Sequence, residues 1–311
     1  MTIKILQGNC IEKIKELEDN SIDCVITSPP YWGLRNYNVD GQLGLESTYQ
    51  EHIKNIIKLF RIIKPKLKDS ATIWLNYGDS YATTVNGRSA AKTKEIGNDD
   101  RGFVDKPFST IQGSIKPKDL VMIPNRIAIA LQDDGWWIRS EIIWHKPNPM
   151  PESIKDRPTS CHEKIWLITK NKKYYYDADA IKEPCKVQVS KKTKIRFGGN
   201  KYGDSKDKHH QTKSGNNYVD TGLKNKRNVW TVSTKPFKDA HFATFPKDLI
   251  EPCIKAGCPK GGIVLDPFGG SGTTGIVAAL NNRNAILIEL NKEYVNIAKK
   301  RINTELGLFK T

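Results

Sequence analysis

The chain has 311 residues, a formal charge of +16 and six cysteines scattered from Cys10 to Cys258. That length supports one good core with a smaller lobe, and dispersed cysteines exclude a dense disulfide scaffold and suit a reducing, cytoplasmic setting. No apolar run reaches membrane-spanning length, the opening MTIKILQGNC lacks a signal peptide's layout, and the basic surplus points to a polyanion partner rather than a membrane.

Lys4 to Gln7 reads as a strand, about Cys10 to Leu17 as a helix, and Ile22 to Thr27 as a second, apolar strand. The stretch Thr27-Ser28-Pro29-Pro30-Tyr31-Trp32 stops that strand, because proline lacks an N–H and fixes φ. A stiff turn here presents a hydroxyl, carbonyls and a stacking face. Trp32 fits core packing and pocket lining equally. Tyr49, Ile53, Ile56, Ile57 and Phe60 recur at helical spacing from about Thr48 to Ile63, and Ala71 to Asn76 is the next strand. It ends in Tyr77-Gly78-Asp79-Ser80, where Asp79 reads either as a turn residue or as a site residue. Residues 81–118 form a long loop of little periodicity, of the kind that is functional or disordered.

Leu120 to Leu131 resumes a helix, Trp136 to Trp144 a strand, Lys164 to Thr169 another, and Tyr174-Tyr175-Tyr176 suggests one more. His145, His162 and Glu163 read as supporting or packing groups rather than catalysts. From Ile181 to Trp230 there are 13 Lys and Arg against 4 Asp and Glu, with few apolar residues. Such a window is either a solvated insertion or a nucleic-acid-facing segment whose lysines displace phosphate counterions. Val229 to Val232, a helix over Pro246 to Ala256, the strand Gly262 to Asp266, a helix over Gly272 to Leu280, the strand Ala285 to Leu290 and a helix to about Ile302 complete the chain. This alternation predicts an α/β fold with a mostly parallel sheet covered on both faces. Cys253 and Cys258 with Cys161-His162 lack the paired spacing of a zinc site, so no metal is expected.

Ile263-Val264-Leu265-Asp266-Pro267-Phe268-Gly269-Gly270-Ser271-Gly272-Thr273-Thr274 is a strand, a glycine turn and a helix start. Gly270, Gly272 and Gly275 match GxGxxG, and Glu289 ends the next strand, where a carboxylate binds ribose hydroxyls. The spacing does not separate a nicotinamide dinucleotide from another adenosine cofactor. Asp266, placed directly before the turn, repels a pyrophosphate and suits an ammonium group, which favours S-adenosyl-L-methionine. An NAD-dependent oxidoreductase and a non-catalytic nucleic-acid-binding protein are the competing readings. The first leaves the Ser-Pro-Pro-Tyr turn unexplained, and the second leaves Ser28, Tyr31, Asp266 and Glu289 all intact without a purpose.

With both motifs in hand, the chain resembles the exocyclic-amino DNA methyltransferases. The resemblance rests on Thr27-Ser28-Pro29-Pro30-Tyr31-Trp32 followed by Asp266-Pro267-Phe268-Gly269-Gly270-Ser271-Gly272-Thr273-Thr274, the order of the β group. Trp144 to Asn148, Asp156-Arg157-Pro158, His162-Glu163 and His241 to Pro246 also look like family sequence. The resemblance implies a Rossmann-like, S-adenosylmethionine-dependent fold with a seven-stranded mixed sheet, one strand antiparallel and helices on both faces. It implies a catalytic half over 1–180, a basic target-recognition insertion over 181–228 and a cofactor-binding half over 229–311. Ser28, Pro29, Pro30 and Tyr31 become the catalytic motif. Asp266, Phe268, Gly270, Gly272 and Thr273 line the cofactor, Glu289 holds its ribose, and Phe245 and Pro246 close the methionine end. The implied substrate is a base flipped out of double-stranded DNA, cytosine N4 ahead of adenine N6, with Tyr31 stacking on it. A cognate restriction endonuclease is the implied partner, and the chain is read as a monomer or homodimer.

Overall fold

The computed structural model describes residues 1–37, 39–84, 107–185, 222–234 and 245–307. Most of the basic window (186–221), the middle of the long loop (85–106) and residues 241–244 of the expected family sequence lie outside the described residues.

The first half runs β1 (Ile3–Gln7), α1 (Cys10–Lys15), β2 (Ile22–Thr27), α2 (Tyr49–Ile63), β3 (Leu67–Tyr77), α3 (Ile123–Asp133), β4 (Trp137–His145) and β5 (His162–Thr169). The short strands β6 (Glu183–Pro184), β7 (Leu223–Lys224) and β8 (Val229–Thr231) follow. The chain ends with α4 (Lys247–Gly257), β9 (Ile263–Asp266), α5 (Thr273–Leu280), β10 (Asn284–Glu289) and α6 (Lys292–Gly307). Asn9 and Thr48 cap α1 and α2 by accepting from Ile11 and Glu51 N–H groups, which fixes where each helix leaves its preceding turn. Among the described residues, no helix is long and apolar enough to cross a membrane.

One sheet organises the molecule, in the order β1-β10-β9-β2-β3-β5-β4-β8. Among the described residues it has eight strands rather than the expected seven. The extra strand is β8, whose Val229, Trp230 and Thr231 pair in parallel with Ile143, Trp144 and His145 at the sheet edge. Among the described strands of this sheet, β5 alone runs against its neighbours β3 and β4, so the expected single antiparallel strand is present. β6 and β7 form a separate antiparallel pair that brings together the two described ends of the basic window. Tyr174 to Tyr176 forms no strand; instead the Tyr176 ring stacks on Trp74 at 6.5 Å.

Alternation along the strands splits the core into two layers. Val25, Ile73 and Leu75 face α1, α2 and α3 through Ile14, Ile56, Phe60 and Ile127, while Cys24, Ile26 and Trp74 face α4 and α5 through Leu249, Ile254 and Val277. All six residues of β2 are buried, because it is central and covered on both sides. The chain leaves β9 toward β10 and β1 on one side, while β2 leads to β3 on the other. The crevice between β9 and β2 is therefore the switch point where doubly wound sheets bind ligands.

Candidate active site

The carboxyl ends of β2, β3, β9 and β10 open into one cavity of about 860 Å³. Ser28, Pro29, Pro30 and Tyr31 line it from β2, and Asp266, Phe268, Gly270, Thr273 and Glu289 from the glycine turn and β10. Phe245 lines it as well. Gly272 and Pro246 do not. Gly272 sits at φ +82°, where an added Cβ would meet Ala298 and Ile302 at 3.2 Å, so it serves the approach of α6. Pro246 is buried at the start of α4.

On one side of the cavity the glycine turn is held by the Asp266 and Glu289 carboxylates. Asp266 accepts from Phe268 N at 3.0 Å and from Thr274 Oγ1 at 2.5 Å. Glu289 accepts from Gly270 N at 2.9 Å and from Asn291 N at 2.8 Å, leaving each oxygen a further lone pair. Arg301 of α6, which the motifs do not signal, donates to Ser271 Oγ at 2.9 Å and Thr273 Oγ1 at 2.8 Å. Arg301 also pairs with Glu305, which pairs in turn with Lys247 of α4, so the turn is tied to the segment that follows Phe245.

Burial pushes the Asp266 carboxyl up to about 6, against the bonds from Thr274 and Phe268 that pull it down. Its folded value lies above its ordinary one. The resulting stability is therefore full below about pH 4 and is lost as pH rises through about 6. An ionised Asp266 at neutral pH costs the fold about 3 kcal/mol. Glu289 is raised by the same cause. Two desolvated carboxylates with spare lone pairs, one beside a glycine turn and one at the next strand end, fit a cation that also carries a diol. S-adenosylmethionine affinity is accordingly expected to fall as pH drops through about 6, with proton release on binding near pH 6. Isothermal titration in buffers of different ionisation enthalpy measures both, and Asp266→Asn should abolish the release attributable to this group.

On the opposite side Tyr31 stacks on Tyr77 with ring centroids 4.4 Å apart. Its hydroxyl lies 3.3 Å from Ser28 Oγ and donates to Glu163 Oε2 at 2.9 Å. Glu163 also pairs with Lys146 and accepts from Asn76 Nδ2 at 3.1 Å, and all three residues line the cavity. Glu163 reaches this edge because β5 is antiparallel: its amino end lies level with the carboxyl ends of β3 and β4, with Trp144 opposite Glu163 and Tyr77 opposite Lys164. Gly78 makes room for the contact. A Cβ there would lie 2.8 Å from Tyr31 Cε2 and 3.1 Å from Glu163.

Behind Tyr31 runs a buried chain. Trp32 N–H donates to Tyr77 Oη at 2.8 Å, Tyr77 Oη lies 2.8 Å from His52 Nε2, and His52 Nδ1 lies 2.9 Å from Glu46 Oε2. Burial raises Glu46, but the bonds from His52 and Asn55 outweigh it and hold the carboxyl below its ordinary value. Trp32 is a core residue, 2 % exposed, with Nε1 donating to the Glu46 carbonyl. Asp79 is structural: its Oδ1 accepts from Ser80 N and from Ile123 N at the start of α3. Cys24, Cys253 and Cys258 are buried thiols, each raised by burial, and no group of three or more potential ligands among the described residues could hold a metal.

A switch-point cavity shared by a carboxylate-held glycine turn and a Ser-Pro-Pro-Tyr platform defines a methyltransferase fold. The DNA methylase family profile matches residues 22–300. The type II methyltransferase M.SmaI of Serratia marcescens is 45% identical over 299 residues, covering 96% of this chain and 90% of the relative. M.Cfr9I of Citrobacter freundii is 44% identical over 301 residues, covering 97% and 88%. The chain belongs to the DNA methylase family. Among solved structures, the PvuII cytosine-N4-specific DNA methyltransferase superposes with a TM-score of 0.64 at 18% identity, over 99% of this chain and 92% of that one. S-adenosyl-L-methionine is the cofactor expected of such a protein.

Proposed function

We propose that the protein is a site-specific type II DNA methyltransferase that methylates the exocyclic amino group of a flipped-out base, cytosine N4. The observation that carries this reading is the placement of Ser28 and Pro29 on the wall of the same cavity as Asp266 and Glu289. When bound, S-adenosylmethionine supplies an activated methyl group. The chain supplies acceptors and position. Ser28 Oγ and the Pro29 carbonyl accept from the two amino hydrogens, drawing the nitrogen lone pair out of conjugation and stabilising the charge that develops on it. Pro30 stiffens the turn, and Tyr31, backed by Tyr77, offers its ring to the base. Glu289 takes the ribose hydroxyls, and Asp266 faces the ammonium group.

Cytosine is favoured by the serine at the first position of the motif, and the cytosine-N4-specific name of the PvuII relative supports it. The excess of Lys and Arg over 181–228 suits contact with the DNA backbone, which makes that window the target-recognition segment. The type II methyltransferase names of the relatives support a place in a restriction–modification system with a cognate endonuclease, and the dispersed cysteines suit a reducing, cytoplasmic setting. Sequencing with modified-base detection of DNA from cells expressing the protein is expected to show N4-methylcytosine at one recurring site. N6-methyladenine would overturn the base assignment, and unmodified DNA the activity.

A further inference from the structure

Methylating a neutral amine leaves a surplus proton, and a serine hydroxyl is too weak a base to keep it. The site holds a hydrogen-bond chain that leads away from Ser28. Ser28 Oγ lies 3.3 Å from Tyr31 Oη, which lies 2.9 Å from Glu163 Oε2. The first distance is long for a hydroxyl pair, as catalytic contacts often are before substrate binds. Tyr31 has a second acceptor in Asn76 Oδ1, but that atom is 3.4 Å away and neutral, so the nearer, charged oxygen takes its proton. Asn76 Nδ2 donates to Glu163 Oε2 and to the Lys164 carbonyl, and Lys146 pairs with the other Glu163 oxygen. The carboxylate is thus fixed with one oxygen facing Tyr31. Burial and then the charge of Glu163 hold the Tyr31 phenol well above its ordinary range, so Tyr31 relays a proton and does not rest as a phenolate.

We propose that Glu163 is the terminal proton acceptor of the reaction, reached from the target amine through Ser28 and Tyr31. The proposal rests on the amino-methyltransferase reading above. As the N–C bond forms, the methyl–sulfur bond breaks and its electron pair stays on sulfur. The amine proton passes to Ser28 Oγ, the Ser28 hydroxyl proton to Tyr31 Oη, and the phenol proton to Glu163 Oε2. The product amine is neutral, and one proton has been gained by Glu163, which returns it to solvent. Gly78 is required beneath this relay, since a side chain there would displace both Tyr31 and Glu163.

Glu163→Gln tests the role, because glutamine keeps the shape and the acceptor for Tyr31 but cannot hold the proton. Single-turnover methyl transfer to DNA should slow by about 10²-fold, the lower range for general-base catalysis, with S-adenosylmethionine and DNA affinities unchanged by titration. Tyr31→Phe should slow transfer comparably, and the double variant should be no slower than the worse single, since either breaks one relay. In the cofactor-free protein, the losses in Tm of the two singles should be less than additive, which reads the Tyr31–Glu163 contact apart from turnover. A Glu163→Gln rate within threefold of wild type, or single effects that multiply, would overturn the relay. Absence of transfer by wild type would overturn the methyltransferase reading instead.

Discussion

Replacing Ser28 by alanine is expected to slow methyl transfer by about 10²–10³-fold while leaving S-adenosylmethionine binding and thermal stability at wild-type values. Ser28 Oγ bonds within the protein to Tyr31 Oη at the long distance of 3.3 Å, so the fold loses little when it goes. The reaction loses more. In the proposed mechanism one of the two acceptors at the amine disappears, and with it the pull that frees the nitrogen lone pair. That interaction strengthens as charge develops, so its loss falls on the chemical step and not on ground-state binding. Single-turnover transfer of labelled methyl to DNA measures the first quantity and isothermal titration the second. A variant as fast as wild type would remove the Ser-Pro-Pro-Tyr turn from the mechanism.

Glu289→Ala is expected to show the opposite split. S-adenosylmethionine should bind at least about 10²-fold more weakly, while the rate at saturating cofactor is largely retained. Glu289 does two things at once. It accepts from Gly270 N and Asn291 N, shaping the turn from β10, and it lines the cavity, where the proposed function has its remaining lone pairs take the ribose hydroxyls. Each hydrogen bond to a charged group contributes ~1.5–3 kcal/mol, so losing the carboxylate removes ligand contacts and leaves two backbone donors without their acceptor. Titration of the variant with S-adenosylmethionine checks the affinity, and unchanged affinity would remove Glu289 from the cofactor site. The two substitutions together separate the catalytic wall of the cavity from its binding wall.

Both motifs were legible because each is local. A strand stopped by two prolines and a strand continued by a glycine turn carry their geometry in a few adjacent residues, and both lie where the sequence reading places them. The supporting residues were not legible. Asn76, Lys146, Glu163 and Arg301 stand on elements far apart in the chain, and nothing near them in sequence says which edge of the sheet they reach. Glu163 read as a supporting or packing group within recognisable family sequence, and what the sequence did not signal is its contact with Tyr31. That contact spans 132 residues. Gly272 matches the fingerprint, but its space is taken by Ala298 and Ile302 of α6, a packing fact invisible in the motif.

The amino-acid sequence alone determined the α/β class, the two motifs and their order, and the basic character of the region between them. These follow from periodicity, from proline and glycine stereochemistry and from charge. Tertiary structure decided the rest. Pairing of β2 with β9 set Ser28 and Asp266 on one cavity although 238 residues separate them in the numbering. The antiparallel course of β5 turned Glu163 toward Tyr31, and β8 added an eighth strand at the edge through only three paired residues. Trp32 went to the core because Tyr77 and Glu46 satisfy its two N–H groups there. In each case the deciding quantity is a pairing register or a distance between remote segments, which no local pattern of residues encodes.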